Sequence, residues 1–125
     1  MSFDIRLREV IQEDLPIFFA HQLDPAATRM ANFASRNRDA FMLHWARIMQ
    51  DETVSIQTIL FDGHVAGNIV SFEQGGTREV GYWLGKEFWG KGIATEALQQ
   101  FLEIVRIRPL YAHVAKHNQA SLRVL

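Results

Sequence analysis

Phe3, Ile5 and Leu7 alternate with Asp4, Arg6 and Arg8, the period-two pattern of a strand with one buried face. From residue 12 the spacing becomes helical. Leu15, Phe18, Phe19 and Leu23 can share one face, and Pro16 sits near the start, where its missing N–H is tolerated. Asp24-Pro25 ends that helix near residue 23. Residues 26–36 carry weak periodicity and read as a loop or a short irregular helix. Asn37 then offers an N-cap to a second helix bearing Phe41, His44, Trp45, Ile48 and Met49.

From residue 53 the period shortens to two. Val54, Ile56, Thr58 and Leu60 lie on one face of a strand, and Asp62-Gly63 is a strong hairpin signal into a second strand over 64–72. Gln74-Gly75-Gly76 marks another hairpin turn, leading into a strand over 79–84. After the segment 86–95, a helix to about residue 105 carries a broad apolar stripe of Ile93, Ala94, Ala97, Leu98, Phe101, Leu102 and Val105. Pro109 starts a further strand over 110–115, and Asn118 opens a last helical segment. The order β-α-α-β-β-β-α-β-α predicts an α+β domain: a mostly antiparallel meander followed by a β-α-β crossover.

Composition narrows this picture only by exclusion. A chain of 125 residues, 48% hydrophobic and 22% charged, is one globular domain spanning 1–125 with no room for a second core. Thirteen basic and fourteen acidic residues give a net charge of -1, so no basic surplus points to nucleic acid or an anionic membrane. The absence of cysteine excludes disulfides, thiolate metal sites and cysteine nucleophiles, and fits a reducing compartment. The five histidines show no paired ligand spacing with carboxylates, so no metal is expected. No signal-peptide core or membrane-length apolar run is present, and the expected location is cytoplasmic.

The chemistry concentrates between Tyr82 and Thr95, where a strand passes into a helix through Gly90 and Gly92, with small Ala94 just beyond. A helix start leaves backbone N–H groups unpaired and carries positive dipole potential, so it suits a phosphate, and glycine lets that phosphate approach. Lys91 would add a point charge. A P-loop requires Lys-Ser/Thr after its second spaced glycine, but Ile93 follows Gly92; a dinucleotide fingerprint requires Gly or Ala where Thr95 stands. Two glycines alone fit a tightly packed turn at least as well as a phosphate cradle.

The context of the turn decides between those readings. Trp89-Gly90-Lys91-Gly92-Ile93-Ala94 resembles the Q/R-x-x-G-x-G/A acetyl-CoA motif of the GNAT superfamily of N-acetyltransferases, with Trp89 replacing the usual Gln or Arg. Together with Gly81-Tyr82-Trp83-Leu84 before it and Thr95-Glu96-Ala97 after it, the run is similar to the RimJ/RimL-type subgroup, which acetylates ribosomal-protein N-termini. The stretch from Ala112 to Leu125, with Asn118 and Ser121, is similar to that subgroup's strand-to-helix segment, and Arg6-Leu7-Arg8 and Glu13-Asp14 match its opening. The resemblance therefore covers nearly the whole chain.

The resemblance implies a sheet flanked by helices in which the strand ending at Leu84 splays from the one starting at Leu110. It also implies further strands after Leu125, so that this chain ends inside its last helix, with the open edge completed by more sequence or by a second copy in a homodimer. Tyr82, Trp83 and Leu84 would pair with the pantetheine arm of acetyl-CoA, with a backbone N–H near Leu84 polarising the thioester carbonyl. Trp89, Gly90, Lys91, Gly92, Ile93, Ala94 and Thr95 would hold the pyrophosphate, and Asn118 would touch the pantetheine arm while also serving as a helix N-cap. The implied reaction is direct attack of a primary amine, a protein N-terminus or a small molecule, on the thioester. Leu125 stands where many members carry an acidic tyrosine, so Ser121 is the implied proton donor, set against the plain reading of a hydroxyl bonded to its own helix. Glu79 matches a frequent carboxylate, set against a cross-strand partner for a basic side chain. His113 and His117, whose intrinsic pKa values suit a base but which read as readily as surface or core residues, and a water chain are the alternatives, while His44 and Trp45 are core or cleft lining. A non-catalytic acyl-CoA-binding domain is the rival class, and a structural subunit the third.

Overall fold

Two hairpin turns organise the sheet. At Asp62 and Gly63 φ is 50° and 82°, the pair of left-handed residues that a two-residue turn between twisted strands requires. Gly75 and Gly76 repeat the device with φ of 59° and 84°. These turns join β2 (Ser55–Phe61), β3 (His64–Gln74) and β4 (Thr77–Leu84) into an antiparallel meander. β1 (Ile5–Arg8) pairs antiparallel with β2, and β5 (Leu110–Tyr111) pairs parallel with β4, giving the order β1-β2-β3-β4-β5 among the described residues. The structure is a computed structural model that describes residues 4–24 and 37–112.

Helices cover both faces. On one side, α3 (Ile93–Ile104) buries Ile93, Ala94, Ala97 and Phe101 against Ile59, Ala66, Ile69 and Leu84. Its Gln100 side chain donates to the Ile5 carbonyl at 2.7 Å, tying the helix to β1. On the other side, α1 (Leu15–Gln22) and α2 (Arg38–Gln50) pack Leu15, Phe18, Phe41 and Trp45 together, with Ile56, Val65 and Val70 beneath. Asn37 caps α2, its side-chain oxygen accepting from the Ala40 N–H at 2.8 Å, and Trp45 is core, its ring 5.0 Å from that of Phe18.

The first helix departs from its expected pattern. A 3-10 turn (Gln12–Asp14) precedes it, and Leu23 is exposed, while Asp14, Leu15, Phe18, His21 and Gln22 form the buried face. Asp14 is 2% exposed and accepts four hydrogen bonds: two from the Arg8 guanidinium at 2.7 and 2.9 Å, one from Thr58 Oγ1 at 2.7 Å and one from the Ile11 N–H at 3.1 Å. Burial alone would push the carboxyl pKa up, but the bonds from Arg8, Thr58 and Ile11 outweigh it and hold it below the usual range. A pKa depressed by folding means stability that is present above the unfolded value and lost as pH falls through the folded one. The loss therefore begins near pH 4, about the ordinary aspartate pKa. Arg8→Met leaves the buried carboxylate short of its cation, and urea unfolding is expected to show a loss of about 2 kcal/mol at neutral pH. An unchanged midpoint would reduce the pair to a surface contact.

Candidate functional site

β4 leads directly into the glycine-rich turn. A 3-10 segment (Lys86–Phe88) follows Gly85, with the Phe88 N–H bonded to the Gly85 carbonyl at 2.9 Å and the Trp89 N–H to that of Lys86 at 3.1 Å. The Trp89 indole folds back and donates to the Leu84 carbonyl at 3.0 Å, bracing the turn against the strand it leaves. Gly90 and Gly92 then both adopt left-handed dihedrals, with φ of 75° and 76°, a region costly for residues with a Cβ. A Cβ at either position would meet nothing within 4 Å, so the turn offers open backbone.

Gly92 is the N-cap of α3, and no side chain caps that helix. The first N–H taken up within it is that of Glu96, by the Gly92 carbonyl at 3.2 Å. The amides of Ile93, Ala94 and Thr95 therefore have no acceptor inside the helix. The Ile93 and Ala94 side chains are buried against the sheet, so both residues can meet a ligand only through their backbone. Gly90, Lys91, Gly92 and Thr95 are exposed. This is a fit for a phosphate: bare amides, helix-dipole potential and one exposed lysine.

The strand before the turn carries the remaining expected residues. Register with β3 and the two cores sort its side chains: Val80, Tyr82 and Leu84 face α3, whereas Glu79, Gly81 and Trp83 face α1 and α2. The described β4–β5 ladder has two rungs, Arg78 with Leu110 and Glu79 with Tyr111. Glu79 is buried at that last rung. His113, His117, Asn118, Ser121 and Leu125 lie outside the described residues; the structure places Tyr82, Trp83 and Leu84 directly before the glycine turn and does not bear on the expected acid.

Two features of this strand were not legible in the sequence. Gly67, next to the β2–β3 bulge, pairs with both Ile59 and Leu84, and a Cβ there would collide with the Trp83 carbonyl. On the opposite side, the His21 imidazole of α1 lies against Gly85. His21 is buried, and its Nδ1 has no hydrogen-bond partner among the described residues. Burial pushes its pKa down, opposed by the Glu87 carboxylate. No periodicity marks either glycine, because the requirement comes from a distant neighbour. Among the described residues no cluster of three or more His, Asp or Glu side chains could hold a metal ion. No described helix is long and apolar enough to cross a membrane.

The antiparallel meander thus feeds its fourth strand through a glycine turn into an uncapped helix. The family profile of the acetyltransferase (GNAT) domain matches residues 4–125, and the chain belongs to that family. A curated relative, an uncharacterized N-acetyltransferase p20 of Bacillus licheniformis, is 24% identical over 97% of this chain and 75% of its own length. Among solved structures, a domain from Methanocaldococcus jannaschii superposes with a TM-score of 0.82 at 18% identity, covering 98% of this chain and 85% of that one. Spermidine N-acetyltransferase from Vibrio cholerae, crystallised with CoA and spermine, superposes with a TM-score of 0.83 at 16% identity, covering 96% and 76%.

Proposed function

We propose that this acetyltransferase takes acetyl-CoA as its donor, with the pyrophosphate on the amides from Gly90 to Thr95 and the pantetheine arm along Tyr82, Trp83 and Leu84. The observation that carries this reading is the pair of left-handed glycines at the uncapped start of α3, in the turn that follows β4. Lys91 adds charge at the phosphates, Trp89 braces the turn, and the Leu84 region presents a backbone N–H to the thioester carbonyl. Glu79 accepts the proton of the attacking amine. By the family resemblance, Ser121 donates to the departing sulfur and Asn118 contacts the pantetheine arm. The acceptor is a primary amine, either a protein N-terminus, as in the RimJ/RimL type, or a small amine, as the spermine in the Vibrio cholerae structure exemplifies. A cytoplasmic location and a homodimer belong to the same reading.

Ligand that binds only the folded state stabilises it by mass action. Acetyl-CoA at a hundred times its dissociation constant is expected to add about 2.7 kcal/mol, read as a rise of several degrees in melting temperature. ATP and NAD at equal concentration should do much less, since neither fingerprint is satisfied. Equal shifts from all three would reduce the site to a generic anion cradle. Binding without release of coenzyme A, across a panel of peptides and amines, would make the chain a non-catalytic acyl-CoA-binding domain.

A further inference from the structure

We propose that His21 is a positioning residue of the transfer, its imidazole wedged between α1 and Gly85 so as to hold the end of β4 in the geometry that receives the acyl donor. The inference rests on the donor reading above and adds to it a residue from the opposite face of the sheet. Its starting point is Gly85. With φ of -61° and ψ of 145°, this residue occupies dihedrals open to any amino acid, so its backbone does not require glycine. Crowding does. A Cβ at Gly85 would lie 2.7 Å from both Cδ2 and Nε2 of His21 and 3.3 Å from Cε1. Gly90 and Gly92 present the opposite case, with left-handed dihedrals and open space. The absent side chain at Gly85 makes room for one imidazole.

That imidazole is a poor choice on packing grounds alone. His21 is 8% exposed, and its Nδ1 has no hydrogen-bond partner among the described residues. A buried polar atom left unsatisfied destabilises the fold, and Leu15 and Phe18 show that the same face of α1 accepts apolar side chains. The ring instead closes a clamp. On the β3 side, Gly67 lets the Trp83 carbonyl pass over it, and the Gly85 N–H donates to the Ala66 carbonyl at 2.9 Å. From the turn, Trp89 holds the Leu84 carbonyl at 3.0 Å. His21 supplies the α1 side of the clamp. A backbone N–H that stabilises developing charge acts through being fixed before the reaction, so loosening this segment weakens donor docking.

The test is calorimetric titration of coenzyme A into Gly85→Ala, His21→Ala and the double variant, at a temperature where circular dichroism shows each to be folded. Gly85→Ala forces ring and backbone apart and is expected to raise the coenzyme A dissociation constant at least about tenfold. His21→Ala, which only loosens the clamp, should raise it several-fold. The double variant should recover most of the Gly85→Ala loss, because the new methyl occupies space the ring has left. A purely structural role would lower melting temperatures and leave the dissociation constants of the folded variants at the wild-type value, and that result overturns the proposal. Simple additivity in the double variant overturns it too. If Gly85→Ala does not fold, His21→Ala decides alone, an unchanged affinity counting against the proposal. Failure of the wild-type chain to bind coenzyme A would remove the donor reading and His21's role with it. Wild-type binding with unmoved variants removes only the latter.

Discussion

Gly92→Val is expected to weaken coenzyme A binding by roughly a hundredfold or more, with a measurable loss of stability beside it. The affinity loss follows from the amides of Ile93, Ala94 and Thr95, which open α3 with no side-chain cap and no acceptor within the helix. Forfeiting two charge-assisted hydrogen bonds of about 1.5 kcal/mol each corresponds to roughly a hundredfold in dissociation constant. The reason valine forfeits them is conformational. At φ of 76° a residue with a Cβ carries about 1–2 kcal/mol of strain, and β-branching makes it worse. The chain relieves that strain by rotating residue 92 out of the left-handed region, and this re-aims the amides that follow. A clash at the Cβ itself is not the cause, since a Cβ there meets no atom within 4 Å. Calorimetry on the folded variant is the measurement, with Gly90→Val as a parallel case. Unchanged affinity in both would remove the pyrophosphate from this turn.

What the sequence disclosed and what it hid divide along one physical line. Features set by the residue itself were legible. Asp62-Gly63 announces its turn because both positions adopt positive φ. Asn37 announces a cap because its oxygen reaches the Ala40 amide three residues on. The stripe from Ile93 to Phe101 announces a helix against a core. Features set by a partner far along the chain were not. The first helix was expected to bury Leu23, whereas the buried face turns toward Asp14, His21 and Gln22. Polar residues belong inside there only because Arg8 and Thr58 reach Asp14, and because Gly85 admits His21. Gly67 and Gly85 have ordinary dihedrals, so neither carries a local signature. The glycine turn at the start of α3 was legible through the motif from Trp89 to Ala94. Its supporting clamp required the sheet register.

The last described rung of the β4–β5 ladder joins Glu79 to Tyr111. At the other end of β4, contacts from β3, α1 and the turn converge on the segment from Trp83 to Gly85.

Glu79→Gln is expected to lower kcat by at least about a hundredfold, the lower end of what a positioned general base contributes, while coenzyme A affinity stays within experimental error. A primary amine reaches the enzyme mostly as ammonium, and it attacks a thioester only after losing a proton. The base must therefore be connected to the point where acceptor and acyl group meet. Glu79 stands on the donor strand itself, five residues and about 16 Å of strand before Leu84, so it would take up the proton through a chain of water. It occupies the last described rung of the β4–β5 ladder, and its register with Phe72 puts its side chain on the α1 and α2 face. It is 8% exposed, so its environment is fixed by the fold. It is also remote in sequence from Gly90 to Thr95, which is why phosphate binding should survive its replacement. Glutamine keeps the shape and much of the hydrogen bonding but cannot take up the proton. The decisive comparison sets steady-state kinetics beside a coenzyme A titration and a urea melt of the same variant. A large fall in kcat with affinity retained assigns the base. A loss of stability with normal kcat instead makes Glu79 a cross-strand partner, and proton removal then passes to His113, His117 or a chain of water.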